Sequence, residues 1–266
     1  PDSADGAFPT GTTADWEDNA SAAQLTLPEG AVVVYAELVW GASWAAGTED
    51  VSTFIDDGIL LDTPAESVGV FPDPLTSFTL DTTSTSDSAF GVRYYVRSAN
   101  VTEHVQTAGP GTYRVRRVPG TQDDLIRELN AGGWTLYVAY FAPQQLGQNI
   151  SIFVGADWID EGVTEDVTAR GFCTPPNGDV DGTLFVTAME GDAAFTGDAF
   201  GILTADADFV ALQGINNPVD NFFGAQIADR TGALDTSGTF GDRNHDPLAG
   251  LNIAGGRQGW DIAAME

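Results

Sequence analysis

The feature that most constrains this chain is an alternation of apolar and polar side chains with a period of two residues. Successive side chains of a β-strand point to opposite faces of its sheet, so this pattern is typical of strands with one buried face. The alternating segments are rich in β-branched and aromatic residues. They cover residues 32–40, 90–98, 111–118, 133–141, 149–157 and 182–190. The pattern predicts an all-β protein, and more narrowly a jelly-roll-like β-sandwich.

One short helix is the only exception that the sequence predicts. Within residues 121–130, Thr121 followed by Asp124 is typical of a helix N-terminus. The apolar side chains that come next fall on one helical face, at Leu125, Ile126 and Leu129. A single helix of this length does not change the predicted fold class.

Long connections separate several of the predicted strands. Stretches rich in Pro, Asp, Ser and Thr at 62–88 and 229–250 predict long acidic loops. No internal repeat of fixed period is present, and β-sandwiches of this length fold as one unit. Residues 1–266 are therefore interpreted as a single extracellular domain.

The charge of the chain is strongly negative. There are 39 acidic residues and 10 basic ones, which gives a net charge of -29, and every basic residue is Arg because the sequence contains no Lys. Such a surface repels phosphate, so the composition argues against nucleic-acid binding and attachment to anionic membranes. A medium rich in salt or calcium screens the self-repulsion, which favours an extracellular or cell-surface location.

The composition also excludes two kinds of covalent crosslink within the chain. Cys173 is the only cysteine, so no disulfide can form within the chain, and the absence of Lys excludes a Lys–Asn isopeptide bond. The sequence has no run of about 20 apolar residues, so no membrane-spanning helix is expected. We therefore expect the core, a bound metal or a partner to stabilise the fold.

Three groups of oxygen-bearing side chains predict calcium ligands, because Ca²⁺ takes six to eight oxygens. NGDVDG at 177–182 has the opening spacing of a calcium loop, but Ala188 stands where the final carboxylate belongs, so a Gly/Asp turn is the stronger interpretation. The second group comprises Glu190, Asp192, Asp198, Asp220 and Asn221. The third comprises Asp242, Asn244 and Asp246. For both, an ordinary acidic loop is an equally good interpretation.

Tryptophan side chains suggest another kind of site. Trp44 and Trp158 stand beside polar turns, where an exposed indole ring can stack on a sugar. Trp40 and Trp134 lie inside apolar strands and are expected in the core. The sequence thus leaves a carbohydrate-binding surface open.

Catalytic signatures are few. His104 and His245 are the only histidines, which excludes a His-rich zinc site, and neither a G-x-S-x-G nor an H-E-x-x-H motif occurs. Cys173 precedes a Thr-Pro-Pro run and is interpreted as an incidental thiol. Catalysis by a pair of carboxylates, as in a glycoside hydrolase, stays an open hypothesis, although the sequence does not single out a pair.

Several blocks of the sequence resemble a known family. They include YAELVWGAS, GGWTLYVAYF, GFCTPPNGDVDGTLFVTAMEGDAAFTGD and GWDIAAME. Together these blocks resemble an uncharacterised β-sandwich domain of large secreted or cell-surface bacterial proteins of adhesin type. The resemblance implies an extracellular structural or adhesive role. It also implies further strands after GWDIAAME, so the sandwich is expected to lack C-terminal strands or to borrow one from a neighbour.

These observations lead to three hypotheses. The first is an extracellular structural or adhesive building block that calcium stabilises and that assembles into homo-oligomers or fibres by strand complementation, with a surface glycan or a protein as a further partner. The second is a carbohydrate-binding module that uses exposed Trp. The third is a secreted glycoside hydrolase. Under the first hypothesis no enzymatic activity, nucleic-acid partner or membrane insertion is expected.

Overall fold

Strands dominate the structure. The computed structural model describes residues 15–81, 91–122, 130–159, 162–171, 173, 177–178, 182–189, 191, 196–204, 206, 208–239, 241 and 259–265. In these residues the strands are β1 (Ala20–Leu25), β2 (Val32–Ala46), β3 (Glu49–Asp50), β4 (Ile59–Asp62), β5 (Ser67–Val70), β6 (Phe78–Leu80), β7 (Arg93–Asn100), β8 (Gly111–Arg116), β9 (Gly132–Phe141), β10 (Leu184–Met189), β11 (Gly201–Leu203), β12 (Phe209–Ala211) and β13 (Trp260–Met265). One α-helix, α1, spans Thr102–Ala108, and turns of 3-10 helix span Trp16–Asp18 and Pro74–Thr76.

Two antiparallel sheets form the body of the protein. The first has four strands in the order β1-β8-β4-β5. In the second, which has five, β9, β2, β7 and β6 lie side by side and β3 pairs with the end of β2. β2 lies at the centre of this sheet because both of its edges are paired. The arrangement confirms the all-β sandwich that the alternating pattern predicts.

The space between the two sheets holds the main hydrophobic core. From β2, the alternate residues Leu38 and Trp40 are fully buried in it. β7 adds Tyr95, and α1 packs against β2 and adds Val105. The four-stranded sheet contributes Ile59, Leu61, Tyr113 and Val115. Because both sheets supply every second side chain, the period-two pattern and the sandwich core are the same feature.

The other face of the five-stranded sheet is covered as well. The antiparallel pair β10 and β13 lies over it, and both strands contact β9. Trp260 of β13 donates a hydrogen bond from its indole nitrogen to Oγ1 of Thr135 at 2.9 Å. A Cβ at Gly133 would lie 2.5 Å from the Trp260 ring, so a glycine lets the ring approach β9 this closely. β10 and β13 form a third layer, which we call the outer layer.

The predicted strands are confirmed with one exception. β2, β7, β8, β9 and β10 match predicted segments, with ends displaced by a few residues. The prediction of a strand at 149–157 is wrong, because the structure records no backbone ladder for these residues. The prediction of a long loop at 62–88 is wrong in part, because β5 and β6 lie in this stretch and pair with β4 and β7.

The helix of the structure differs from the predicted one. Residues 123–129, which carry most of the predicted helix, lie outside the described residues. In α1, Asn100 Oδ1 accepts the first helical N–H at 3.0 Å, and Val105 anchors the helix to the core. The helix ends at Gly109, whose φ of 68° is a left-handed conformation that favours glycine. No helix among the described residues has the length and apolar character needed to cross a membrane.

Candidate functional site

The outer layer has one strand edge without a ladder partner among the described residues. β13 is bonded on both sides, to β10 and, through the backbone of Ile262, to Gln226 and Ala228. As far as the described residues extend, β10 pairs with β13 alone. An edge of this kind presents a row of backbone N–H and C=O groups that another strand can bond. β10 is therefore a potential acceptor for an additional strand.

Residues 151–159 run beside this edge with the exposure pattern of a strand. Ile152, Val154, Ala156 and Trp158 are half-buried, whereas the residues between them are exposed. The Trp158 ring stacks on Tyr94 of β7, with ring centroids 5.3 Å apart. This contact holds the segment against the five-stranded sheet. The alternating burial that predicts a strand at 149–157 is thus observed, although no described strand pairs with the segment.

A groove separates this segment from β10. Phe153 and Gly155 line one wall, and Thr187 and Met189 line the other. Its floor is the outer face of the five-stranded sheet, at Val39, Val96 and Tyr137. Its cavity volume is about 100 Å³. Burial raises the pKa of Tyr137, so its hydroxyl, hydrogen-bonded to Thr187, is neutral at physiological pH. We call this feature the edge groove.

Exposed apolar side chains are concentrated in the same half of the chain. Of the 21 large apolar side chains that are exposed among the described residues, 15 lie between Phe141 and Val219. Phe185 of β10 is 47% exposed. The two-stranded sheet of β11 and β12 exposes four more, at Ile202, Leu203, Phe209 and Val210. In this sheet Ile202 lies opposite Val210 and Leu203 opposite Phe209, and exposed apolar side chains that cluster in this way mark an interaction site.

Part of the predicted calcium cluster comes together in space. Asp198 Oδ2 accepts the backbone N–H of Phe223 at 2.6 Å, and the backbone N–H of Gly197 donates to the carbonyl of Asp220 at 2.7 Å. Asp198 therefore lies beside the segment that carries Asp220 and Asn221. Burial raises the pKa of Asp198, and the charge of Asp220 adds to this shift, against the backbone N–H donors that lower it. A cation between these groups would relieve the repulsion.

A further oxygen ligand lies near this cluster. Asn217 is buried, its Nδ2 donates to the carbonyl of Phe222 at 2.9 Å, and its Oδ1 has no hydrogen-bond partner among the described residues. Amide oxygens of this kind suit Ca²⁺. Within the same described part of the chain, no three His, Cys, Asp or Glu side chains gather closely enough to hold a metal. Any cation here would rely on amide and backbone oxygens besides Asp198.

Several predicted ligands lie outside the described residues. These are Glu190, Asp192, Asp242, Asn244 and Asp246. Of NGDVDG, the structure describes Asn177, Gly178 and Gly182 but neither aspartate. The calcium hypothesis for these positions stays a prediction.

We expect Asp198→Asn to raise the melting temperature by a few degrees at pH 7 in EDTA. The pKa of Asp198 is higher in the folded than in the unfolded chain, so protonation of this carboxyl favours folding. This stabilisation is complete below the unfolded pKa of about 3.9 and is lost as the pH rises through the folded pKa. The gain should therefore vanish near pH 3. If calcium binds, millimolar calcium should raise the melting temperature of the wild type and of Asp57→Asn, an exposed control, but not of Asp198→Asn. Equal calcium responses in all three proteins would exclude Asp198 as a ligand.

Trp44 and Trp158, the tryptophans predicted to stack on sugars, are both half-buried, and each ring packs against another side chain of the protein. The Arg93 guanidinium lies 5.1 Å from the centroid of the Trp44 ring. Trp158 stacks on Tyr94. Trp40 is fully buried in the core and Trp134 packs against it, as predicted. The structure does not join Trp44 and Trp158 in a ring contact.

The hydrolase hypothesis would need two accessible carboxylates. Glu37 is buried, and its oxygens accept hydrogen bonds from the hydroxyls of Tyr35 and Ser98. Asp261 is also buried, and its Oδ1 accepts the backbone N–H of Gln226. Both acids hold strands together, so neither favours this hypothesis.

Comparison with known proteins identifies no relative of this chain. No protein family model, curated protein or solved structure matches it. The resemblance to adhesin-type surface domains therefore stays a prediction.

Proposed function

We propose that this chain is a structural building block of an extracellular surface, and that copies of it join by strand addition. In this proposal the exposed β11–β12 hairpin of one copy adds to the free edge of β10 in the next copy, beside the edge groove. The observation that carries it is the edge of β10 that has no ladder partner among the described residues, next to a groove floored by the five-stranded sheet. Backbone hydrogen bonds would supply affinity, and alternate side chains would enter the groove.

The β11–β12 hairpin is the favoured partner for the β10 edge because pairing with a third strand would stabilise it. Among the described strands, β11 and β12 pair only with each other, and a two-stranded sheet is marginally stable in water by itself. Phe200 at the base of the hairpin contacts Phe222, with ring centroids 5.2 Å apart, which anchors it to the outer layer. Its apolar side chains remain exposed. Because donor and acceptor are different surfaces, repeated addition would produce an open chain of subunits, that is, a fibre.

The net charge sets the conditions for assembly. Each copy carries a charge of -29, so copies repel one another until counterions screen them. Assembly is therefore expected at physiological salt and millimolar calcium, and dissociation at low salt in EDTA. Calcium bound to the folded chain near Asp198 would also stabilise each subunit, since a ligand that binds only the folded state shifts unfolding.

Two matched substitutions test the proposal. Phe185→Glu places a charge on the acceptor edge and Phe209→Glu places one on the donor hairpin, whereas Phe71→Glu changes an exposed Phe outside both surfaces. We expect wild type and Phe71→Glu to form large species in size-exclusion chromatography with light scattering. Phe185→Glu and Phe209→Glu should each be monomeric, because charged residues block edge pairing.

Mixing the variants gives the sharper result. Phe185→Glu retains an intact donor and Phe209→Glu an intact acceptor, so an equimolar mixture should form dimers and nothing larger. A mixture that stays monomeric, or a wild type that is monomeric in salt and calcium, would overturn the proposal.

A further inference from the structure

Three tripeptides of the chain have the sequence Asn-x-Ser or Asn-x-Thr. They lie at residues 19–21 (Asn-Ala-Ser), 100–102 (Asn-Val-Thr) and 149–151 (Asn-Ile-Ser). In a surface loop of a secreted protein, this motif is an acceptor of N-linked glycans. Because the motif requires both a side-chain amide and a hydroxyl, a transferase must reach both groups. The three motifs differ in whether the folded chain allows this.

The motif at 100–102 is built into the fold. Val101 is buried in the main hydrophobic core. Asn100 Oδ1 accepts the backbone N–H of Thr102 at 3.0 Å, and Thr102 Oγ1 accepts the backbone N–H of Ala36 at 2.9 Å. A transferase would have to separate the start of α1 from β2 in order to bind these residues. The folded chain therefore does not present this motif.

The motif at 19–21 is held in a similar way. Asn19 is half-buried, and Ala20 is buried as the first residue of β1. Ser21 Oγ accepts the indole N–H of Trp134 at 2.7 Å. The ladder between β1 and β8 begins at Ala20, so a transferase would have to break it. This motif is also unavailable in the folded chain.

The motif at 149–151 is accessible without unfolding. Asn149, Ile150 and Ser151 are all exposed, and no described strand pairs with them. Asn149 Nδ2 donates a long hydrogen bond to the carbonyl of Cys173 at 3.3 Å. Both partners of this bond are exposed, so water can replace it at little cost. The nitrogen that would receive a sugar is thus within reach of a transferase.

The surroundings of Asn149 leave room for a glycan. A Cβ at Gly147 would meet no other atom within 4 Å, so the chain is open to solvent on this side. Leu146 is 93% exposed and Ile150 is 60% exposed. Exposed apolar side chains favour association with other surfaces. A hydrophilic glycan on Asn149 would shield the two apolar side chains that flank it.

We propose that Asn149 carries an N-linked glycan, which is transferred to the folded chain from a polyprenyl diphosphate oligosaccharide. Nδ2 of Asn149 forms a bond to C1 of the first sugar, and the bond between C1 and the diphosphate oxygen breaks. Nδ2 releases a proton, polyprenyl diphosphate is the leaving group, and nothing is oxidised or reduced. The inference rests on the extracellular location proposed above, because this motif is an acceptor in exported chains.

Peptide mass spectrometry of the chain isolated from the surface of the cells that make it tests this inference. Every basic residue is Arg, so trypsin separates the three motifs into the peptides 1–93, 98–114 and 128–170. We expect peptide 128–170 to carry at least one sugar, and fragmentation to place the sugar on Asn149. The other two peptides should carry no sugar on asparagine.

Variants of Ser151, produced in the same cells, distinguish glycan transfer from other modifications of an exposed asparagine. Ser151→Thr preserves the motif and should retain the sugar. Ser151→Ala removes the hydroxyl and should lose the sugar, although Asn149 is unchanged. Ser151 is exposed, so both substitutions should leave folding intact, which melting temperatures can verify.

Three results would overturn the glycan proposal. They are an unmodified Asn149 in chain taken from the cell surface, a sugar that persists in Ser151→Ala, and a sugar on the motif at 19–21 or 100–102. The assembly proposal is tested separately, because Phe185→Glu and Phe209→Glu leave the acceptor motif intact, so both should carry the same glycan as the wild type. A chain absent from the cell surface would instead contradict the location on which both proposals rest.

Discussion

Trp40→Ala is expected to lower the free energy of unfolding by about 4 kcal/mol, within the range of about 3–5 kcal/mol for the loss of a buried Trp. Trp40 is fully buried at the centre of β2, between its cross-strand neighbours Trp134 and Arg97. Both neighbouring strands are held by backbone ladders, so the site cannot collapse freely around the cavity. Denaturant unfolding followed by circular dichroism measures this loss.

Two controls sharpen this result. Trp40→Phe retains an aromatic ring, and the indole nitrogen that it removes has no hydrogen-bond partner among the described residues, so the cost should stay under about 1.5 kcal/mol. Trp44→Ala, in the same strand but half-buried, should cost less than Trp40→Ala. A loss below about 1 kcal/mol for Trp40→Ala would show that the main core does not carry the stability of the fold.

Arg97→Met is expected to cost about 3 kcal/mol, because it removes the donor from a buried polar network. The Arg97 side chain is 3% exposed and its guanidinium donates to the carbonyl of Phe78, to Thr79 Oγ1 and to Asp56 Oδ1. It also lies 5.3 Å from the centroid of the Tyr95 ring. Met preserves the apolar stem but leaves these acceptors without their donor.

The matched control is Asp56→Asn. The side chain of Asp56 is 76% exposed, so water solvates its charge, and the ion pair should contribute less than about 1 kcal/mol. The two partners of one ion pair are therefore expected to differ severalfold in cost, which thermal and denaturant unfolding of both variants can measure. Equal losses would mean that the ion pair, and not the buried carbonyl contact, stabilises this end of β7.

Strand prediction was correct where the local sequence pattern shows that side chains are buried. β8 alternates strictly and has one face on the core, whereas β9 is a nearly continuous apolar run because the outer layer covers its second face. β2 is longer than predicted because Ala42, Ser43 and Ala46 contribute no β-branched or aromatic signal. The ladder to β7 nevertheless holds Ala42 and Ser43 in the strand, and the ladder to β3 holds Ala46. Pairing with a neighbour overrides weak local preference.

The errors at β5, at β6 and at residues 149–157 share one cause. β5 and β6 have four and three residues and lie within an apparent loop, and they are strands because β4 and β7 pair with them. The segment 149–157 has the stronger pattern, yet it is no strand because no ladder to it is recorded among the described residues. A period of two specifies the faces of a strand but does not identify its neighbour.

For the functional surfaces, the sequence by itself determined the chemistry available: an all-β chain of net charge -29, without Lys or a disulfide, and with six tryptophans. It also placed Asp198 with Asp220 and Asn221, which the structure brings together. Only the tertiary structure decided that β10 pairs along one edge alone among the described residues, and that Trp16, Arg117 and Trp134 lie together between β1 and β9. These residues are far apart in the sequence, and the contacts that unite them depend on which strands pair, which no local pattern encodes.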